Sequence, residues 1–384
     1  MKSVFETKQC AWLQKINAAT GVFISKENYT HAERISKLLW EVIAIFFIVG
    51  TLITNIPYWR YTFEKSSSTA LIVCNLSMIL HYFVIICRSI DMVSHKTKLR
   101  RFLETVDRIL ESNEYSADHN NIKREAWKIP GKILICQIFI LLGSQATFFL
   151  AMPSFDKDSQ SFDSVEYEIF GGYLEYVDYT NIRVQIFTVA NFLLNLFMWI
   201  KIYAMDCLIY FFIVLIAKEI NLLRKNFSFR QFSSPSCESF AKWTQQFESI
   251  KSFVVDFNDL FSNQIILAIF DQTLALCFTG YISAKYFTGT VVLAMATVFL
   301  NGFSQNLIYC VLGQSVVNEA EKLMSQLSSG TWSRQNMFPV CHVLLSTVKR
   351  NFTLCIGNFF TLNMEFFASV IGIVFTYFMI LRQF

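Results

Sequence analysis

The chain has 384 residues, 54% of them hydrophobic and only 16% charged, with a mean hydropathy of +0.41 and a formal net charge of +4. Soluble globular domains carry about 25% charged residues, so this composition excludes an ordinary soluble enzyme or binding domain and fits a polytopic membrane protein rich in Phe and Tyr. The basic residues flank apolar stretches and form no single patch, which excludes nucleic acid as a partner.

The first segment, MKSVFETKQCAWLQK, has no apolar core of a cleaved signal peptide, so the first span is expected to act as the insertion signal. A window of about 20 residues marks seven apolar spans, at 38–58, 68–90, 129–151, 183–216, 263–285, 289–312 and 352–384. Segments 1–37, 91–132, 217–262 and 313–351 hold 25 of the 33 Lys and Arg. By contrast, 153–181 carries Asp156, Asp158, Asp163, Glu166, Glu168, Glu175 and Asp178 against Lys157 alone. Basic loops stay cytoplasmic, so the N-terminus is expected inside and the C-terminus outside. That orientation is opposite to a G-protein-coupled receptor. None of the ten Cys falls in an outer loop, and no CxxC or HExxH spacing occurs, so neither a disulfide framework, a metal site nor a cofactor is expected. No nucleophile elbow, P-loop or dinucleotide fingerprint supports an enzyme.

Several helices outrun the bilayer. From Ile182 to about Asn226 there is no Pro or Gly, which at 1.5 Å per residue is over roughly 60 Å, about twice a hydrocarbon core. A second helical pattern covers 238–285, with Phe240, Trp243, Phe247, Ile250, Phe253, Val254, Phe257 and Phe261 on one face. A third runs from 289 to about 327 and a fourth over about 334–350. Together they predict an all-α fold whose helices four to seven extend into a cytoplasmic anchor bundle. The chain then divides into a cytoplasmic segment 1–37, spans one to six with their extensions over 38–312, an anchor segment 313–350 and a last helix 351–384.

That last helix carries a polar seam. At ~100° per residue, Glu365, Ser369, Gly372, Thr376 and Gln383 fall within about 60° of one another, with Ile380 at the edge. A helix facing only lipid has no use for such a seam; one meeting copies of itself around water does. Polar or aromatic side chains in the outer halves of the other spans, Asn75, Gln145, Asn191, Gln272, Tyr281 and Asn301, with Trp199 deeper, mark either a ligand cavity or interhelical hydrogen bonds. His81 and Asp271 are the ionisable pair deepest in the spans and read as a structural hydrogen bond. Lys201 and Asp206 read as contacts near the inner boundary.

Thr376-Tyr377, five residues, then Gln383-Phe384 resembles the TYhhhhhQF signature of insect gustatory receptors. TLCIGNFFTLN (353–363) resembles the run preceding that signature. HKTKLRRFLETVDRIL (95–110), DFNDLFSNQIIL (256–267) and VVNEAEKL (316–323) resemble the first inner loop, the fifth span and the sixth helix. The resemblance implies a plasma-membrane taste receptor of sensory dendrites. It would be a ligand-gated, non-selective cation channel of four like or related subunits, opened by a small-molecule tastant bound in the outer half. On that resemblance Gln383 and Phe384 form the gate with Ile380 a turn below, and Thr376 and Tyr377 support packing between helices. Glu365 is either a carboxylate ring at the inner mouth or a boundary residue facing the cytosol. Arg382 stands where the signature is normally apolar. Two other readings stay open: an olfactory-type subunit requiring a co-receptor, and a metabotropic seven-helix receptor.

Overall fold

A computed structural model describes residues 69–111, 116–151, 182–227, 237–285, 289–328, 348, 352–357 and 359–381. The span expected at 38–58, the N-terminal segment and the acidic loop 153–181 lie outside these residues. The described residues form helices α1 (Thr69–Ser94), α2 (Lys96–Glu111), α3 (Ser116–Ala151), α4 (Ile182–Asn226), α5 (Cys237–Lys285) and α6 (Gly289–Ser328). A two-stranded hairpin, β1 (Cys355–Ile356) and β2 (Phe360–Thr361), leads into α7 (Met364–Leu381).

The three longest helices, α4, α5 and α6, run for 45, 49 and 40 residues, as their uninterrupted apolar periodicity requires. Among the described residues, Trp199–Asn226 and Ala241–Ile282 are long and apolar enough to cross a membrane. Every residue from 201 to 217 of α4 is buried, so this helix is enclosed on all sides by the rest of the chain. Its enclosure is largely aromatic. Phe212 meets Phe102 of α2 edge-on at 4.8 Å and stacks on Phe261 of α5 at 5.7 Å, while Phe211 meets Trp127 of α3. The predicted apolar face of α5 is buried from Trp243 through Phe261. Phe240 lies among residues whose side chains are not described.

Side-chain pairs give the relative directions of the helices. His81 and Arg88 of α1 bond Asp271 and Gln264 of α5, so a step down one helix is a step up the other and the two are antiparallel. Tyr203, Asp206 and Tyr210 of α4 meet Asn301, Gln305 and Tyr309 of α6 in the same order, so α4 and α6 are parallel. Lys218 reaches back to Glu125 and Cys207 donates to the Pro130 carbonyl, which sets α3 antiparallel to α4. This is the alternation that a chain threading back and forth produces.

The helix that contains the span expected at 129–151 starts earlier, at Ser116, and passes through Pro130 without ending. One expectation is corrected: the last span is not one helix over 352–384. Gly357 sits at φ 57°, the left-handed region that glycine adopts without penalty, and the chain turns there into the hairpin. The helix starts only after Asn363, whose side-chain oxygen accepts the Phe366 N–H at 2.9 Å and caps it. On α5, Asn258 donates to the Thr353 carbonyl and accepts the Cys355 N–H, while Ser262 Oγ accepts the Gly357 N–H. On α6, Gln314 accepts the Met364 N–H at 3.2 Å, and the backbone of Leu362 lies so close to Gly313 that a Cβ there would stand 2.2 Å from its carbonyl oxygen. The hairpin thus clasps the root of α7 to α5 and α6. Of the helix expected at 334–350, only Val348 is described, and it is buried.

Candidate functional site

Two arrangements have the chemistry of a receptor: the outer face of α7 and a polar ladder among α1, α4, α5 and α6. On α7, Val370 and Val374 are buried, and Phe367 rests edge-on against Phe303 of α6. Glu365, Ser369, Gly372, Thr376 and Ile380 are all exposed. With ~100° per residue, this seam lies roughly opposite the buried face, pointing directly away from the subunit body. Nothing stands within 4 Å of where a Cβ of Gly372 would be. Ser369 and Thr376 satisfy their hydroxyls by bonding back to the carbonyls of Glu365 and Gly372. Tyr377, also exposed, flanks the seam. Gln383, Phe384 and Arg382 lie outside the described residues.

The ladder has rungs seven residues apart on three helices. The lower rung centres on Asp206 of α4, which is 1% exposed and forms an ion pair with Arg88 of α1. The same carboxylate accepts the Tyr309 hydroxyl at 2.8 Å and the Gln305 amide at 3.3 Å, both from α6. Gln264 of α5 completes the set. It accepts the Arg88 Nε–H at 3.2 Å and donates to the Arg88 carbonyl and to Asp91. A buried charge is tolerated only when paired and hydrogen-bonded, and here four helices supply the partners. In the upper rung, His81 of α1 bonds Asp271 of α5 at 2.8 Å and stacks on Trp199 of α4 with ring centroids 4.3 Å apart. Just beside it, the Tyr203 hydroxyl donates to Asn301 at 3.0 Å. Gln272 packs against Gly302, whose added Cβ would meet the Gln272 Oε1 at 3.1 Å.

The structure therefore brings together Gln272, Asn301 and Trp199, together with the His81–Asp271 bond read from the sequence. Tyr281 stands nine residues, about 13 Å, farther along α5, on the stretch where Gly280 lies under Phe378 of α7. Asn75, Gln145 and Asn191 fall on α1, α3 and α4, but their side chains are outside the described set. Lys201 is buried, two residues and hence ~200° around α4 from Trp199. Among the described residues, no group of three or more His, Cys, Asp or Glu could hold a metal ion. Arg88 was not anticipated, though an arginine inside the apolar span 68–90 is itself a signal that a buried acidic partner exists.

A chain of antiparallel and parallel apolar helices, one of them wholly enclosed, held by a buried ion-pair network and presenting a polar helix face outward, defines a helical multi-pass membrane protein. A family model described as 7tm Odorant receptor matches residues 68–375, and the chain belongs to this family of receptors. The odorant receptor coreceptors of Ooceraea biroi and Drosophila melanogaster are 26% and 24% identical over 145 residues, which is 37% of this chain and 30% of each relative. The matched part is thus under a third of those relatives' length. The fold is that of the insect olfactory receptor OR5 from Machilis hrabei, with a TM-score of 0.70 at 14% identity, covering 97% of this chain and 98% of that one. The same receptor in complex with eugenol aligns with a TM-score of 0.68 at 15% identity. The gustatory assignment expected from the terminal motif has no support in these similarities, which favour the olfactory-type reading kept beside it.

Proposed function

We propose that this chain is an olfactory-type receptor subunit, a ligand-gated cation channel of the plasma membrane in which α7 lines a pore shared with three other subunits. The observation that carries this reading is the polar seam of α7, which faces away from the body of its own subunit and needs a partner or water. The coreceptor relatives favour a heteromeric partner, and the eugenol complex of a similarly folded receptor favours a small organic ligand. Glu365 stands at the start of α7, where four carboxylates would concentrate cations. Gln383, Phe384 and Ile380 form the gate at the other end, with Thr376 and Tyr377 between. The ligand binds among the outer halves of α1 and α3–α6, where Gln272 and Asn301 lie. The inner ends of α4–α6 and the hairpin form the anchor. Ligand opens the pore only to the extent that it prefers the open state.

Whole-cell recording in cells expressing this chain with an odorant receptor coreceptor, GTP depleted, separates a channel from a metabotropic receptor. Thr376→Cys should then react with a charged aqueous thiol reagent and lose current, whereas Val374→Cys, on the buried face, should not. Reaction at Val374 with Thr376 inert would overturn the pore reading.

A further inference from the structure

One face of α3 carries charge that the buried ladder does not use. From Ile133 to Ala151 the helix holds no charged residue, and the last ones before that run are Lys128 and Lys132, one turn apart. At 1.5 Å per residue, the stretch from Lys132 to Ala151 covers about 29 Å, the thickness of a hydrocarbon core. The two ammonium groups therefore stand at the headgroup level of one leaflet. Both lysines are exposed, and neither is within ion-pair distance of a carboxylate among the described residues.

On the same face stand Ile135, Phe139 and Leu142, exposed by 53%, 69% and 46%. At ~100° per residue, Lys128, Lys132, Ile135, Phe139 and Leu142 fall within about 80° of one another. Trp127, Pro130, Leu134 and Gln137 are buried on the other side of the helix. The exposed face thus has two cations at one end and an unbroken apolar strip running from them. A third cation comes from α4. Lys218 Nζ donates to Glu125 Oε2 at 3.1 Å, and Lys218, followed by Lys128, holds the Glu125 carboxyl below its usual range. Glu125 is engaged by Lys218, so three lysines against one carboxylate leave two positive charges in excess.

We propose that Lys128 and Lys132, with Lys218 alongside, bind the phosphate of an anionic phospholipid, and that an acyl chain of this lipid lies along Ile135, Phe139 and Leu142. Cations clustered where a span meets the headgroups attract anionic lipid, and the long lysine stem lets each ammonium reach the phosphate while its methylenes stay on apolar surface. The bilayer is the source, and not a soluble phosphate, because the apolar strip continues directly from the cations. The proposal rests on α3 crossing the membrane over residues 129–151.

The test places p-benzoylphenylalanine at position 139 of the intact chain, reconstituted in equal amounts of phosphatidylglycerol and phosphatidylcholine with the same acyl chains. Irradiation joins the benzophenone to a neighbouring C–H bond, and mass spectrometry of the adduct reads the headgroup. Phosphatidylglycerol adducts should exceed phosphatidylcholine adducts about fivefold or more. Lys128→Gln with Lys132→Gln should return the ratio to that of the mixture. Lys251→Gln with Lys322→Gln, which removes lysines held by Glu248 and Glu319, should leave it unchanged. Glycerol phosphate, a headgroup without chains, should not compete. A ratio equal to the mixture in the parent, a preference that survives loss of Lys128 and Lys132, or competition by glycerol phosphate overturns the proposal and leaves the span standing. Cross-links to protein with none to lipid overturn the span and the proposal together.

Discussion

Replacing Asp206 by Ala should be among the most damaging single substitutions in the described part of the chain. The carboxylate accepts from Arg88, Tyr309 and Gln305, and all four side chains are buried. After truncation the guanidinium keeps, among the described residues, Gln264 as its one side-chain acceptor, so a positive charge remains in the interior with its ion-pair partner gone. Breaking a buried ion pair in this way costs about 3–5 kcal/mol, and the orphaned Tyr309 hydroxyl adds about 1–3 kcal/mol on the same scale. Arg88→Met with Asp206→Ala removes the charge as well, so the double variant should be less destabilised than the sum of the singles by about 2 kcal/mol or more. Reversible unfolding in mixed detergent micelles, with the four members of the double-mutant cycle measured side by side, reads both quantities. Additive effects, or an Asp206→Ala variant within about 1 kcal/mol of the parent, would refute the view that this rung clamps α1, α4, α5 and α6 together.

Gly313→Ala should displace the hairpin, because the new Cβ collides with Leu362 backbone rather than a side chain that can rotate; we expect a loss of about 1–3 kcal/mol in the same unfolding assay, and reduced ligand-evoked current. Glu365→Gln should lower single-channel conductance or cation preference, and an unchanged conductance would argue for a boundary residue facing the cytosol.

Much of this architecture was written in the residues. The lengths of α4, α5 and α6 follow from uninterrupted helical periodicity, because a helix that long leaves no alternative way to bury its apolar face. The seam of α7 was legible for the same reason, and so was the His81–Asp271 bond, since two ionisable groups deep in apolar spans must find each other. The hairpin at 355–361 was not. Its residues are apolar enough to extend a span, and only Gly357 and the capping Asn363 argue otherwise, each a one-residue signal outweighed by its neighbours. The partner of Asp206 also escaped, because which of several helices lies opposite a given face is set by packing that one chain's periodicity does not encode. For the pore, the terminal motif pointed to taste, while the match over residues 68–375 points to smell. A short signature shared by related receptors is a weaker guide than the body of the protein.

The enclosure of α4 bears on how the protein is made. Its stretch from residue 201 to 217 is shielded from every side in the finished fold, yet two of the helices that shield it, α5 and α6, are synthesised afterwards. A nascent chain that has just released α4 therefore exposes its most apolar surface for as long as the next hundred residues take to emerge. At about 5–20 residues per second that interval is roughly 5–20 s, long enough for aggregation or quality control to compete with folding. Assembly of such a receptor is thus decided during a window late in translation, and substitutions on α5 or α6 that spare every functional residue can still empty the membrane of protein by prolonging it.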